Sequence, residues 1–164
     1  MTSLLNPTPP LKVLARDKDD LATIAALLQD AIIPLTDMTY LPDEQTLAMV
    51  VNRFRWEQLA QREIALPTDE DGNPLYERIN CGVRIMGVSA VKTRGFNQRD
   101  KDAILNMLTL TQPATDTIEM TFAGEAALAL TVHELKVFCE DLGEGWPTTR
   151  MPQHELGDEP GQDQ

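Results

Sequence analysis

The run Asn52-Arg53-Phe54-Arg55-Trp56 sets two guanidinium groups beside two aromatic rings within five residues. On a strand, side chains alternate between faces. Arg53 and Arg55 then share a face with Val51, and Phe54 and Trp56 share the other with Val50. A later block carries Arg78, Arg84, Lys92, Arg94, Arg99 and Lys101, of which Arg84, Lys92 and Arg94 have one strand parity. Nine of the 14 cations fall between residues 53 and 101. If the two strands are neighbours, Arg53, Arg55, Arg84 and Arg94 form a cluster that grips a carboxylate or phosphate through bidentate forks. The competing reading is a set of surface ion pairs, because Glu57, Glu63, Asp69, Glu70, Asp71, Glu77, Asp100 and Asp102 share the region or adjoin it. Phe54 and Trp56 read as core aromatics or as part of an interface.

Other reactive side chains do not assemble a site. Asp19 and Asp20 read as helix-start charges rather than an acid–base pair. Gln29-Asp30 puts an acid at a helix end, where the dipole disfavours it, and suggests a polar contact with one of the arginines. His133 is expected at an exposed helical position and His154 in a polar tail, neither beside an orienting partner. Phosphate-loop and dinucleotide glycine patterns, the nucleophile elbow, CxxC, HxxxH and EF-hand spacings do not occur. Asp69-Glu70-Asp71-Gly72-Asn73 resembles a calcium loop in composition alone. The sequence therefore assigns no catalytic residue, no cofactor and no metal.

Charge narrows the partners. The chain has 164 residues, 42% of them hydrophobic, with 14 Lys and Arg against 26 Asp and Glu, a formal net charge of −12. That length makes one domain with a real core. The sign argues against nucleic acid, whose phosphates need clustered cations, and against anionic membranes. No window approaches the ~20 apolar residues that cross a bilayer, and Met1–Pro10 lacks the charged and apolar regions of a secretory signal. Cys81 and Cys139, far apart in apolar runs, are expected as buried free thiols. Cytoplasm is the expected location. The partners left open are a protein, a second copy of the chain, or a small anionic molecule.

These side chains must be positioned by local elements. Residues 1–10 hold three prolines and read as a flexible lead-in. Leu11–Leu14 is a strand. Asp17 caps a helix with an apolar stripe at Leu21, Ile24, Ala25, Leu28 and Ile32, stopped by Pro34. Thr36–Leu41 and Thr46–Arg55 form a hairpin around Pro42–Gln45. Residues 57–78 read as a mobile or functional loop. Residues 79–94 read as one long strand with Gly82 and Gly87 as bulge sites. Ala103–Thr111 suits a strand or a helix. Thr117–Phe122 and Ala126–Leu130 make a second hairpin. Thr131-Val132-His133-Glu134 fits a capping box opening a final helix, with a stripe at Leu135, Phe138, Cys139 and Leu142 and Gly143 at its end. Residues 147–164 read as a disordered acidic tail.

The predicted order is a strand, a helix, five or six further strands and a closing helix over residues 11–146. Strands in succession give an antiparallel sheet, so the expected fold class is α+β, with about six or seven strands and a C-terminal capping helix. A pleckstrin-homology-like roll has that order by analogy, with the first helix as an insertion.

Several segments resemble a known family: Leu14-Ala15, Asp20-Leu21, Leu27-Leu28-Gln29-Asp30-Ala31, Asn52-Arg53-Phe54-Arg55-Trp56-Glu57 and Arg94-Gly95. Together they are similar to an uncharacterised alphaproteobacterial family catalogued as domain of unknown function 2948, from about Leu11 to Trp146. The resemblance implies a small cytoplasmic bacterial protein, encoded beside histidine and cell-wall biosynthesis genes. It brings no activity, ligand or catalytic residue. Two functions follow from the residues themselves. The first is a non-catalytic interaction module with its contact surface near Arg53–Trp56. The second is a binder or enzyme for a small anionic metabolite that uses the arginine cluster.

Overall fold

The computed structural model describes residues 9–59 and 66–152. Its strands are β1 (Lys12–Ala15), β2 (Ile32–Pro34), β3 (Met38–Leu41), β4 (Thr46–Phe54), β5 (Tyr76–Ile85), β6 (Val88–Arg94), β7 (Ile104–Ala114), β8 (Thr117–Phe122), β9 (Ala126–Val132) and β10 (Val137–Thr148). One α-helix, α1 (Lys18–Leu27), follows β1. The strands form one sheet in the order β1-β10-β5-β4-β2-β7-β8-β9-β6, with β3 joining β4 beside β2. Every pairing between these strands is antiparallel.

The expected α+β class with six or seven strands is thereby corrected: the protein is mostly β and has ten strands among the described residues. The C-terminal capping helix, and with it the pleckstrin-homology-like roll, is also corrected. Residues 137–148 are β10, paired with β1 on one edge and β5 on the other. Leu135, Phe138, Cys139 and Leu142 fit a helical stripe, but the burial of β10 follows a period of two. Val137, Cys139 and Asp141 point inward, and Phe138, Glu140 and Leu142 point outward. An inward aspartate breaks the apolar alternation that marks a strand.

Two other boundaries move. Residues 79–94 are two strands, broken at Met86-Gly87, where Gly87 has φ of 71°. β5 pairs with β4 and β10, whereas β6 crosses to pair with β9. The helix ends at Leu27, before the expected stop at Pro34. Asp30 turns the chain at φ of 62°. Its N–H donates to the Met107 carbonyl, and Met107 N–H donates to that of Ala31, so Ile32 enters β2. The helix start is as expected: the Asp17 carboxylate accepts from Asp20 N–H at 2.8 Å. Residues 104–114 resolve as strand.

The core lies inside the coiled sheet. Leu47, Met49 and Val51 of β4 meet Ile85, Val83 and Cys81 of β5 in register. Met107, Ile118, Met120, Phe122, Leu128 and Leu130 line the opposite wall, and Leu21, Ile24 and Leu28 of α1 pack into the same core. Cys81 and Cys139 are buried free thiols. Within the 57–78 connection, residues 60–65 lie outside the described residues. The remainder holds a tight turn in which Asp69 accepts from the N–H groups of Asp71 and Asn73. The lead-in over residues 1–8 and the tail over 153–164, with His154, also lie outside the described residues.

Candidate functional site

β4 carries its alternation past the apolar core and ends in charge. Leu47, Met49, Val51 and Arg53 follow one another on the inward face, so Arg53 enters the protein where a further aliphatic residue would stand. It is fully buried, at 0% exposure. A buried guanidinium is tolerated only when its N–H groups and charge are matched. β10 supplies the match. Asp141 lies opposite Cys81 on β5, two rows from Arg53. Arg53 Nε donates to Asp141 Oδ1 at 2.8 Å and Nη2 donates to Oδ2 at 2.8 Å. On the other side Nη1 and Nη2 donate to the Glu57 carboxylate at 3.0 and 2.7 Å. A single turn of 3-10 helix over Trp56–Gln58 brings Glu57 back over its own strand. Asp141 also ties down the start of β1: its Oδ2 accepts from Leu11 N–H at 2.8 Å, and its N–H donates to the Leu11 carbonyl.

Next to this triad, the buried Arg55 donates through Nη1 to Glu77 Oε1. Gln58 Nε2 donates to the same oxygen at 3.1 Å. Burial and hydrogen bonding compete in this cluster. Burial pushes the Glu57 carboxyl up, but the hydrogen bonds and charge of Arg53 outweigh it and hold Glu57 below its ordinary range. Burial opposes the Arg53 charge, yet Asp141 and Glu57 leave it held above its ordinary value. Among the described residues the arrangement brings two arginines and three carboxylates together.

The aromatic pair packs on the opposite side of β4. Phe54 is buried beneath Trp56, at 4.6 Å between ring centroids, and Tyr76, at 5.5 Å. The Arg78 guanidinium carbon sits 5.9 Å from the centroid of the Phe54 ring. Trp56 is half-buried, and its Nε1–H donates to the Gln29 carbonyl at 3.0 Å, joining β4 to the end of α1. Burial pulls the Arg78 guanidinium below its ordinary value, while the buried Asp30 carboxylate acts in the opposite direction.

The four sequence-selected arginines do not converge. Arg53 and Arg55 lie side by side in the buried network. Arg84 is exposed on the outward face of β5, in register with Phe138 and Ala48. Arg94 is exposed at the end of β6, across the fold. Asp141, Leu11, Glu57 and Glu77 complete the network. Glu57 and Glu77 are two of the acids expected in ion pairs, here half-buried and buried rather than on the surface, whereas Asp141 and Leu11 do not stand out in the sequence. Only the inward parity of Asp141 beside Cys139 carries a signal.

Arg84 instead borders a groove of about 380 Å³ on the outer face of β3, β4, β5 and β10. Asp37, Thr39, Ala48, Val50, Phe138, Glu140 and Leu142 share its lining. Gly82 forms part of the floor, with Leu142 Cδ1 lying 3.4 Å from where a Cβ would stand. Among the described residues, no cluster of three or more His, Cys, Asp or Glu could hold a metal ion, and no helix is long and apolar enough to cross a membrane.

No curated protein matches the chain, and no solved structure matches it. A family model does match, over residues 11–154. That span covers the sheet, α1 and the whole buried network, and the chain belongs to the family described as protein of unknown function, DUF2948.

Proposed function

We propose that this domain is a non-catalytic cytoplasmic interaction module that pairs with a second copy of itself through the outer face of β3, β4, β5, β10 and β1. The observation that carries the reading is a concentration of exposed apolar side chains. Leu14, Val50 and Leu142, exposed by 39, 37 and 42%, lie on this one face around the groove. Contiguous exposed apolar surface of this kind marks interaction sites. The face continues along β4 toward Phe54 and Trp56, so the Arg53–Trp56 segment forms one end of it, with Trp56 at the rim.

Charge supports a second copy. A chain of net charge −12 repels its own kind over most of its surface. This face holds Lys12, Arg78 and Arg84 against Asp37 and Glu140, with Glu140 3.9 Å from Lys12 of the same chain, so it lacks the acidic excess of the chain as a whole. A two-fold axis through the groove brings Arg84 of one copy toward Glu140 or Asp37 of the other. The alternative, an anionic-metabolite site, draws no support from Arg53 and Arg55, whose donors serve Asp141, Glu57 and Glu77.

Light scattering on the purified chain tests the reading. The expected mass is twice 18.3 kDa. Leu142→Asp and Arg84→Glu are expected to give monomers with unchanged far-ultraviolet dichroism, and Arg84→Glu combined with Glu140→Arg to restore the dimer. A monomeric wild type at about 100 μM, on the order of a weak association, overturns it.

A further inference from the structure

Two strand edges of the sheet flank one opening. Among the described residues, β3 pairs only with β4, and β6 ends the sheet, paired only with β9. The two strands approach each other at one point. Tyr40 Oη donates to the Val88 carbonyl at 2.6 Å, and Val88 N–H donates to the Gln45 carbonyl at 2.8 Å. From that pin the lining runs back along β3 toward Leu35 and forward along β6 toward Phe96. Met38 of β3 and Leu35 before it line one wall of a cavity of about 180 Å³. Val91 and Thr93 of β6, with Phe96 beyond, line the other. Leu47 and Leu128, both buried, form the floor.

Among the described residues, eight partly buried apolar residues border the core, and five of them (Leu35, Met38, Tyr40, Val91 and Phe96) line this one seam. The volume equals about six waters, room for one leucine- or phenylalanine-sized side chain. The surrounding charge is distinctive. Residues 88–102 carry four cations, Lys92, Arg94, Arg99 and Lys101, against two acids, Asp100 and Asp102, on a chain of net charge −12. Lys92 and Arg94 are exposed on β6 itself.

We infer that the seam between β3 and β6 binds an extended peptide of a partner protein, one that carries a single large apolar side chain flanked by acidic residues. The peptide backbone pairs with the strand edges, the apolar side chain enters the cavity over Leu47 and Leu128, and the acids face Lys92 and Arg94. Strand addition gains affinity from main-chain hydrogen bonds and selectivity from the pocket under alternate side chains. A hydrocarbon ligand would fill the cavity and leave the strand edges unpaired, so the observations favour a peptide. The seam is separate from the outer groove and does not depend on self-association there.

The test is a titration of the ¹⁵N-labelled full chain with acetyl-Thr-Glu-Phe-Glu-Thr-amide, in which the acids alternate with the phenylalanine and so share the strand face of Lys92 and Arg94 while the ring shares that of Val91 and Thr93. Saturable shifts are expected at residues 38–41 and 91–96, with slowed amide exchange along both strands. Replacing the peptide phenylalanine by alanine, or N-methylating alternate peptide amides, is expected to weaken binding at least tenfold. Thr93→Trp, which fills the cavity from an exposed position, is expected to abolish it. Lys92→Glu with Arg94→Glu is expected to weaken it and to remove its salt dependence. Octanoate tests the hydrocarbon alternative. No saturable shift at millimolar peptide, equal binding by the N-methylated peptide, or binding of octanoate without the peptide each overturns the proposal. If Thr93→Trp does not fold, the two modified peptides still decide the matter on the wild-type chain.

Discussion

Arg53 and Asp141 stand 88 positions apart in the chain and meet as a two-pronged pair, both oxygens of Asp141 at 2.8 Å from guanidinium nitrogens, with both side chains fully buried. The pair closes the sheet across β4, β5 and β10 and, through Leu11, fixes the start of β1. Removing one partner of a buried pair strands the other charge, at a cost of about 3–5 kcal/mol. Asp141→Ala is therefore expected to lower the unfolding free energy by that amount, read as a lower urea midpoint with little change in slope. Arg53→Lys is expected to fare little better, since an ammonium cannot serve both carboxylates as a fork does. A loss below about 1 kcal/mol for Asp141→Ala, the value of an exposed ion pair, would show the pair to be structurally idle.

Glu57 gives this network a pH dependence. Its carboxyl is held below the ordinary value of 4.5 by Arg53, against the push of burial. A folded-state value below the unfolded one stabilises above the unfolded value, and the contribution fades as pH falls through the folded one. The wild type is expected to lose melting temperature more steeply than Glu57→Gln on acidification from roughly pH 5 to pH 3. Asp69, held low by hydrogen bonds from Asn73 and Asp71, titrates in the same direction in both proteins and cancels in the comparison. Parallel curves for the two chains would remove Glu57 from the account.

The reach of the sequence is clearest in β4 and poorest in β10. In β4, Leu47, Met49 and Val51 alternate cleanly, and the turn residues Pro42–Gln45 mark the hairpin by themselves. In α1, Asp17 and the Leu21-Ile24-Leu28 stripe define the helix. In β10, Leu135, Phe138, Cys139 and Leu142 satisfy a helical spacing by coincidence, while the true inward set is Val137, Cys139 and Asp141. A charged residue at an inward position reads as a strand breaker until its partner is known. That partner, Arg53, is remote in sequence, and no local pattern encodes the meeting. At Met86-Gly87 the sequence offers Gly87 as a bulge site, but the change of neighbours from β4 and β10 to β9, which makes the break a split into two strands, is remote in sequence. Of the candidate site, the Arg53–Arg55 pair and the stray Asp30 are legible in the sequence. Of their carboxylate partners, Glu57 and Glu77 are among the acids that the sequence offers for ion pairs, and Asp141 is the one it does not offer.

Cys81 and Cys139 sit diagonally on β5 and β10, both facing the core. The neighbouring Cys139 thiol and burial push the Cys81 thiol up, and its Sγ–H donates to the Gly82 carbonyl at 3.7 Å. A buried neutral thiol is a poor nucleophile. The folded chain is expected to show no fast-reacting thiol toward a disulfide reagent, and two after unfolding in guanidinium. A fast-reacting thiol in the folded state would mean that β5 and β10 separate on the time scale of the assay.

Gly145 places β10 against the Arg55–Glu77 pair. A Cβ there would fall 2.6 Å from Glu77 Cδ and 3.0 Å from the Arg78 carbonyl oxygen. Gly145→Ala therefore displaces the Glu77 carboxylate from Arg55 and Gln58, at a cost of about 3 kcal/mol, the low end for breaking a buried pair. Gly143→Ala is the control. Its φ is 69° and nothing lies within 4 Å of the added carbon. It bears only the left-handed backbone strain of about 1–2 kcal/mol. The two variants also differ in coupling. If Gly145→Ala acts through Glu77, combining it with Glu77→Gln costs less than the two changes summed, because the pair is broken only once. Gly143→Ala and Glu77→Gln are expected to add. Additive costs for Gly145→Ala with Glu77→Gln would mean that the strand backbone, and not the buried carboxylate, requires glycine at position 145.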